Sequence, residues 1–436
     1  MKIVTRIILI VSLLFCFSSV MVVQGVYGQE ALQVNIEEAI ELALRTSEDV
    51  QIKENEIDKM RYRYNEAKSA IYPHISGEVT WSRNAVYSPT DPLLNKNYGL
   101  DTGVTVTQVL WAFGRISSAL RLADKYLTIS RLNKDIAQQE IIYHTKLSYY
   151  NALLADQALS IVKESYENAR KNKMLLEKRN TSGRSSKRDN IKMAADIASR
   201  LPQLNDAQTA FSSAMRTFKV IIGVDTEVPV ALREDFAVHY STLNQTEIKG
   251  RLQENEPTLK ALHKQIDADE EMIKIRKANF LPTLSAFATW DYQGIGNAFY
   301  VRGNNLDHYY VAGLKVSIPI WAGGEKVSLL KQARVDKENS ILRLQKTTKE
   351  FTLELDNAIF EYHEYINTLK ANHEAVELAR ESFNMTRDLF ETGQVSLADL
   401  NDAELLLTSQ KLALVLTLYN LNTTLAKIEK LAATEL

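Results

Sequence analysis

Ile71-Tyr-Pro-His-Ile-Ser-Gly-Glu-Val-Thr-Trp81 is a stretch that the chain repeats later as Phe280-Leu-Pro-Thr-Leu-Ser-Ala-Phe-Ala-Thr-Trp290. A second motif, Trp111-Ala-Phe-Gly-Arg115, returns 210 positions further on as Trp321-Ala-Gly-Gly-Glu325. Solenoid repeats are only about 20–50 residues long, so this much longer period does not indicate a solenoid. The chain instead contains two copies of one large structural unit.

Each copy has the same order of predicted elements: a helical segment, two alternating strands and a very long helical hairpin. We assign residues 29–222 to the first copy, residues 223–245 to a polar, irregular linker and residues 246–436 to the second copy. The two predicted hairpin tips contain Gly183 and Gly393, which are also 210 positions apart. Glycine at the end of a helix permits the left-handed conformation that terminates it.

The composition favours long, uninterrupted elements, because 436 residues include only 8 Pro and 16 Gly. Hydrophobic residues make up 45% of the chain, which is enough for a packed core. Charged residues make up 24% and nearly cancel, with a formal net charge of -2. A nucleic-acid-binding protein needs a basic face, so this balance argues against nucleic acid as a partner.

Residues 1–28 have the features of a secretory signal peptide. Lys2 and Arg6 precede the apolar run Ile7–Val23, and Gly28 ends a small-residue cleavage site. The alternative is a membrane anchor, but a run of about 17 residues is at the short end for spanning a bilayer. The only cysteine, Cys16, lies in this segment, so the mature chain would have no disulfide and no thiolate metal ligand.

Four runs alternate between apolar and polar side chains, which predicts strands with two different faces. They lie at residues 75–82, 101–107, 284–292 and 310–318. The polar face includes Glu78, Thr80, Asp291 and Lys315, and aromatic residues near strand ends are Trp81, Trp290, Tyr292, Tyr309 and Tyr310. Strands of about 10 residues with this alternation match an outer-membrane barrel whose polar face lines the lumen. A soluble sheet with one wet face is the alternative.

Four strands cannot close a membrane barrel, which needs at least about eight. An open sheet edge in lipid would leave backbone polar groups unpaired. If these strands span a membrane, several chains must therefore contribute to one barrel: two chains would supply eight strands and three chains would supply twelve.

The helices that follow each strand pair are predicted to be very long, from 114 to about 178 and from 325 to about 391. At 1.5 Å per residue, each would reach roughly 95 Å. Apolar residues recur with a 3.5-residue period in the second hairpin, which predicts coiled-coil packing with a partly wet seam. Pro202 should kink the return helix of the first hairpin only. Near the start of the chain, a helix capped by Asn35 should run to about Ile71.

Motifs for catalysis are absent from the sequence. There is no phosphate-binding loop ending in Gly-Lys-Ser/Thr, no His-Glu-x-x-His and no Gly-x-Ser-x-Gly. The 7 histidines are scattered and lack the i,i+4 spacing of a helical metal pair. We therefore predict no enzyme activity, no cofactor and no metal site.

In organisation the chain resembles the TolC-like outer-membrane efflux proteins, also called outer membrane factors. The resemblance covers about residues 31–434. It rests on the opening Ile36-Glu-Glu-Ala-Ile-Glu-Leu-Ala-Leu44, the strand starts at Pro73 and Pro282, the two Trp-Ala-x-Gly turns and the tandem duplication. Each motif is weak alone, but their order and spacing together are fairly specific.

The resemblance implies a mainly α-helical homotrimer in the outer membrane. Each protomer would give four strands to a twelve-stranded β-barrel, and the coiled-coil hairpins would form an α-barrel tunnel across the periplasm. Such a protein is a passive exit duct of a tripartite efflux or secretion system. Its partners would be a periplasmic adaptor (membrane fusion protein), contacted at the tips with Gly183 and Gly393, and an inner-membrane transporter. The alternative is a periplasmic coiled-coil adaptor without a membrane barrel.

The second tip carries the most specific match, Gly393-Gln-Val-Ser-Leu-Ala-Asp399-Leu-Asn-Asp402. The resemblance implies that Asp399 and Asp402 ring a pore constriction, where like charges would favour cations and raise the pKa of these groups. The alternative is that both acids only complement the positive end of the return helix. Phe390 stands where the family has a polar closing residue, so the closed gate would depend on packing of groups such as Phe390.

Overall fold

The computed structural model of the chain describes residues 32–83, 98–181, 187–233, 235–236, 243–296 and 306–434. The predicted signal peptide and the first hairpin tip with Gly183 lie outside these residues. The two copies are recognisable in the order of elements, and their boundaries stay predictions.

The chain enters the fold through strand β1 (Leu32–Val34) and helices α1 (Ile36–Thr46) and α2 (Glu48–Ser69). Asn35 caps α1 as predicted: its side chain accepts a hydrogen bond from the Glu38 amide at 2.7 Å, and the Glu38 carboxylate accepts one from the Asn35 amide. The prediction of one helix to Ile71 is wrong. Ser47 is extended, and its hydroxyl accepts a bond from the Val50 amide, so a second capped helix begins there.

The rest of the first copy consists of β2 (His74–Arg83), β3 (Tyr98–Trp111), α3 (Arg115–Thr181) and α4 (Lys187–Ile221). Pro202 lies inside α4, which continues through it, and the kink stays a prediction. Part of the linker is ordered, because β4 (Val230–Leu232) pairs in parallel with β1. Strands of three residues are too short to produce a periodic signal.

The second copy consists of α5 (Gln245–Asn255), α6 (Pro257–Ala278), β5 (Thr283–Gly296), β6 (Leu306–Ser317), α7 (Glu325–Thr392) and α8 (Leu397–Ala432). Strand β5 extends beyond the predicted alternating run at 284–292, because Gly294 still pairs with Leu100 on one side and Leu306 on the other. Predicted lengths of the long helices are confirmed: α3 has 67 residues and α7 has 68, about 100 Å each.

The four strands form one antiparallel sheet in the order β2-β3-β5-β6. Residues paired across neighbouring strands lie on the same face. Gly77, Val104, Trp290 and Tyr310 form one such row, and the next row contains Glu78, Gly103, Asp291 and Tyr309. The alternation predicted for each strand therefore adds up to two continuous faces, one mainly apolar and one mainly polar.

The coiled-coil track of the second hairpin is buried as predicted. On α7 it includes Leu355, Tyr362, Leu369, Val376 and Phe383, and on α8 it includes Leu400, Leu407, Leu421 and Ile428. Two polar interruptions of these tracks satisfy each other, because the Asn372 amide donates a hydrogen bond to the Thr417 hydroxyl at 2.9 Å. At this position a side-chain hydrogen bond between α7 and α8 takes the place of an apolar contact.

The second hairpin tip follows the predicted turn chemistry. Gly393 has φ 88°, the left-handed conformation that glycine adopts without strain, and its amide donates to the Phe390 carbonyl. Ser396 then caps α8. The strand-to-helix turns use the same conformation, at Gly114 (φ 81°) in the first copy and at Gly324 (φ 84°) in the second.

Candidate functional site

The apolar face of the sheet is exposed to the surroundings of the chain. Val79 is 72% exposed and Leu314 is 69% exposed, although both lie within paired strands. Large apolar side chains in a row on a sheet surface require a hydrophobic environment or a partner. This face is the one that the sequence predicts to contact lipid.

Aromatic side chains border the apolar face at both ends of the strands. At one end Trp81 stacks on Tyr98, and the Arg83 guanidinium lies 5.9 Å from the centre of the Tyr98 ring. At the other end Trp111 and Trp321 are largely exposed beside the turns into α3 and α7. Two aromatic belts separated by apolar residues are typical of a membrane-spanning sheet.

Tyr309 is the one member of the predicted aromatic belt that the structure places elsewhere. It pairs with Asp291 on the polar face, whereas Trp81, Trp290, Tyr292 and Tyr310 follow the parity of the apolar face. A shift of one residue along a strand reverses the face, so the adjacent Tyr309 and Tyr310 cannot both point to lipid.

The structure brings the four predicted lumen-facing residues to one face: Glu78, Thr80, Asp291 and Lys315. The Asp291 side chain lies across Gly103, in space that a Cβ atom at Gly103 would occupy. Two acids were missed as site residues. Asp101 pairs with Thr80, and Asp307 pairs with Gln293, on the same face. Strand parity indicated Asp101, whereas Asp307 lies before the predicted start of its strand.

Asp399 at the second tip forms a capping box. Its carboxylate accepts hydrogen bonds from the Ser396 hydroxyl at 2.6 Å and from the Ser396 amide at 2.8 Å. These bonds stabilise the ionised form and lower the pKa of Asp399. The raised pKa expected of a charge ring would have to come from acids of neighbouring chains. Asp402, one turn further along α8, is exposed and lies outside the capping box.

Phe390 is buried between helices of the chain. Its side chain is only 2% exposed and packs in a cluster that joins both hairpins. The other fully buried members of this cluster are Leu176, Met193, Ala379, Phe383, Leu397, Leu400 and Leu407. The heptad position of Phe390 indicated this burial, and a role for its packing in the closed gate stays a prediction.

A buried charged cluster, which sequence reasoning missed, lies next to these apolar residues. Arg200 of α4 is 5% exposed and Glu404 of α8 is 1% exposed. One Arg200 guanidinium nitrogen (Nη1) donates to Glu404 Oε1 at 2.9 Å and to the Ser165 hydroxyl of α3 at 2.8 Å. The Nε atom lies 3.0 Å from a carboxylate oxygen of Asp196. The cluster therefore joins the first hairpin to the return helix of the second.

Burial dominates the electrostatics of this cluster. It raises the pKa of Glu404, and the nearby charge and hydrogen bond of Arg200 act in the opposite direction. Glu404 Oε2, Asn401 Oδ1 and the Asn172 amide nitrogen have no hydrogen-bond partner among the described residues. A buried ion pair with incomplete hydrogen bonding contributes little net stability, but each charge depends strongly on the other.

The described part of the chain holds neither a cluster of metal ligands nor a membrane-spanning helix. It contains no group of three or more His, Cys, Asp or Glu side chains placed to bind a metal ion. No helix within residues 32–434, apart from the gaps stated above, is both long and apolar enough to cross a membrane.

Comparison with known proteins agrees with the fold and the two-copy organisation. The profile of the family described as "Outer membrane efflux protein" matches residues 39–224 and 250–434. The "Solvent efflux pump outer membrane protein SrpC" of Pseudomonas putida is 21% identical over 390 residues, 86% of this chain and 80% of SrpC. The CmeC outer membrane channel of Campylobacter jejuni has a TM-score of 0.79 at 15% identity, over 94% of this chain and 90% of CmeC.

A third relative shares a shorter region. The "Alkaline protease secretion protein AprF" of Pseudomonas aeruginosa is 22% identical over 297 residues, which are 64% of this chain and 61% of AprF. The chain thus spans less than two thirds of the length of AprF.

The fold and the exposed apolar sheet face define an outer-membrane channel protein with a long helical extension. The chain belongs to the outer membrane efflux protein family, whose profile covers most of both copies. It is an efflux component located in the outer membrane, and its family consists of efflux channels rather than enzymes.

The buried cluster can be tested with a double-mutant cycle at Arg200 and Glu404. Arg200→Met or Glu404→Leu alone leaves one charge buried without its partner and should destabilise the fold by about 3–5 kcal/mol. The double variant Arg200→Met/Glu404→Leu replaces both charges by apolar groups and should recover most of that loss. Guanidinium chloride unfolding measures the three values.

The exposed pair Arg380 and Glu377, separated by 3.0 Å on α7, provides the control for this cycle. Its single substitutions to Gln should change stability by less than about 1 kcal/mol. Additive losses in the Arg200/Glu404 double variant would show that the two side chains are not coupled.

Proposed function

We propose that this protein is the passive exit duct of a tripartite efflux or secretion system, assembled as a homotrimer. One observation carries the proposal: the four-stranded sheet has a continuous exposed apolar face, and its long edge strands β2 and β6 pair on one side only among the described residues. Edge strands present rows of free N–H and C=O groups, and lipid offers these groups no partner. A second copy of the chain supplies the missing strands.

The internal duplication predicts how the copies join. Strand β2 corresponds to β5, and β3 corresponds to β6. Within the chain β3 pairs with β5, so the copy-related contact is between β6 of one chain and β2 of the next. Three chains joined in this way would supply twelve strands, the number that the family resemblance implies for a closed barrel.

The helix contacts also support an assembly of several chains. Within the chain α3 packs against both α6 and α8. The copy-related contacts would join α7 to α2 and to α4, and neither pair packs extensively among the described residues. These contacts are available only from neighbouring chains. In agreement, α4 carries an exposed apolar stripe that includes Ile191, Ala194, Ala198 and Leu201.

The assembled duct would bring the polar sheet face into the barrel lumen and extend the helical tunnel into the periplasm. An inner-membrane transporter supplies the energy, and a periplasmic adaptor contacts the hairpin tips with Gly183 and Gly393. The names of SrpC and AprF connect these relatives to a solvent efflux pump and to protease secretion. Both are export processes, which supports the proposal of an exit duct without catalytic activity, metal or cofactor.

The orientation of the strands can be tested with one substitution at two adjacent positions. Ala288 pairs with Val106 and Ala312 on the apolar face, whereas Thr289 pairs with Thr105 and Val311 on the opposite face. Ala288→Arg should place a charge in lipid, at a cost of about 2–4 kcal/mol, and should strongly reduce assembled trimer in the outer-membrane fraction.

Thr289→Arg, the matched control, should assemble almost as well as the unmodified protein because its charge faces water. Quantifying the detergent-resistant trimer in isolated outer membranes compares the two variants. A larger loss for Thr289→Arg would reverse the assigned faces, and protein recovered only in the soluble periplasmic fraction would favour the adaptor alternative.

We also propose that Asp399 and Asp402 form the constriction at the second tip. Asp399→Asn/Asp402→Asn should lower the potassium-to-chloride permeability ratio of single channels several-fold, because three copies of each charge are removed at one narrow ring. Planar-bilayer reversal potentials in a salt gradient measure the ratio.

Asp388 is an exposed acid on α7 near the same tip and serves as the control, since Asp388→Asn removes charge outside the proposed ring. An unchanged permeability ratio in the double variant would remove both acids from the constriction.

The capping box of Asp399 also makes stability depend on pH. The pKa of Asp399 is lowered in the fold, so its capping contribution is present above the ordinary pKa of an aspartate and is lost as the pH falls through the lowered value.

A further inference from the structure

A small polar site lies within the buried junction of the first hairpin and α8. Three helices contribute its four side chains, which are Asn172 of α3, Arg200 of α4, and Asn401 and Glu404 of α8. All four are more than nine-tenths buried, and Glu404 is only 1% exposed. The buried apolar residues Leu176 and Leu400 lie next to the two asparagines along their helices. The polar atoms of this site therefore depend on partners inside the junction.

The contacts between α3 and α8 bring Asn172 and Asn401 to the same level. Lys146 bonds to Glu429 and Lys411 bonds to Glu164, so the two helices run antiparallel in a fixed register. Continuing this register towards the tip aligns Asn401 with the turn of α3 that contains Asn172. Glu404 lies one turn from Asn401 on the same face of α8.

Four atoms of the site have no hydrogen-bond partner among the described residues. Two are donors, Asn172 Nδ2 and Arg200 Nη2, and two are acceptors, Asn401 Oδ1 and Glu404 Oε2. Arg200 Nε and Asp196 Oδ2 compensate each other, because they lie 3.0 Å apart as an ion pair. Each of the four remaining atoms bears the cost of its lost hydration unless a further group bonds to it.

The unpaired atoms select a guest by its hydrogen-bonding capacity. A metal cation has no lone pair for the two N–H donors, and it would be repelled by the guanidinium of Arg200. An anion such as chloride cannot donate to Asn401 Oδ1 or Glu404 Oε2. A water molecule donates two hydrogen bonds and accepts two, which matches two acceptors and two donors.

The duplication shows that a return helix does not need polar groups at these positions. With an offset of 210 residues, Asn401 corresponds to Ile191 and Glu404 corresponds to Ala194. The first copy thus has apolar side chains at the two positions that are polar in the second. The buried polar site is a property of this one junction and not of the repeat.

We propose that the junction of α3, α4 and α8 binds an internal water molecule between Asn172, Asn401 and Glu404. The water accepts a hydrogen bond from Asn172 Nδ2 and donates to Asn401 Oδ1 and to Glu404 Oε2. Arg200 Nη2 supplies its fourth bond. Donation to Glu404 Oε2 favours the ionised carboxylate, so the water stabilises the ion pair with Arg200. The site lies within one chain and does not depend on the proposed oligomer.

A high-resolution crystal structure of the protein tests the site directly. The expected result is one solvent peak with contacts of about 2.7–3.2 Å to Asn172 Nδ2, Asn401 Oδ1 and Glu404 Oε2. Asn372 and Thr417 provide an internal control, because these side chains bond directly at 2.9 Å and no peak should separate them. A direct hydrogen bond between Asn172 and Asn401, or a site without a peak, would overturn the proposal.

Asn401→Asp distinguishes a water molecule from a bound cation. For a water site, the added buried charge should lower the thermal unfolding midpoint by at least about 2 °C in sodium, potassium and choline chloride alike. Asn205→Asp, at an exposed position of α4, is the matched control and should shift the midpoint by less than about 1 °C.

A cation site predicts a different pattern. A second carboxylate beside Glu404 would strengthen cation binding, so the midpoint of Asn401→Asp would rise in sodium or potassium chloride relative to choline chloride. That outcome would overturn the proposal. If Asn401→Asp does not fold, the same comparison of salts on the unsubstituted protein decides, because only a bound cation makes its midpoint depend on which cation is present.

Discussion

The unpaired edges of the four-stranded sheet are the constraint on which the rest of the structure depends. A backbone N–H or C=O group without a partner in lipid costs several kcal/mol, and β2 and β6 are strands of 10 and 12 residues. The described residues of one chain offer these two strands no further partner, and the proposed oligomer would supply it. The strand pair in each copy then acts as one sixth of the proposed barrel, and the following hairpin acts as one sixth of the tunnel.

The long helices follow from the same geometry. Turns containing Gly114 and Gly324 connect each strand pair directly to a helix of about 100 Å, so the positions of the strands set the positions of the hairpins. Much of the stability of α7 comes from an apolar track that is buried along its C-terminal half, from Leu355 to Phe390. Where a polar residue interrupts the track, as at Asn372, a hydrogen bond to Thr417 replaces the lost apolar contact.

Periodic features of this fold could be predicted from the sequence, whereas contacts between distant segments could not. Strand faces, long helices and the cap at Asn35 depend on neighbouring residues, and the structure confirms them. The heptad pattern identified Phe390 as an apolar position but could not show which helices enclose it. Arg200 and Glu404 are 204 positions apart and read separately as two ordinary surface charges on helices, so their buried contact had no local signal.

Differences between the two copies carry more functional information than their similarity. Identical copies would make the six junctions of the proposed ring equivalent. Residues that differ between corresponding positions of the two copies can still be good helix formers, as Ala194 and Glu404 are. They change the surroundings of the two helices instead. Glu404 places a charge against Arg200, whereas Ala194 belongs to the exposed apolar stripe of α4. Duplication supplies the geometry of the proposed ring, and divergence gives the first and second hairpins of one chain a buried ion pair, Arg200 with Glu404, that the copy-related residues Gln410 and Ala194 cannot form.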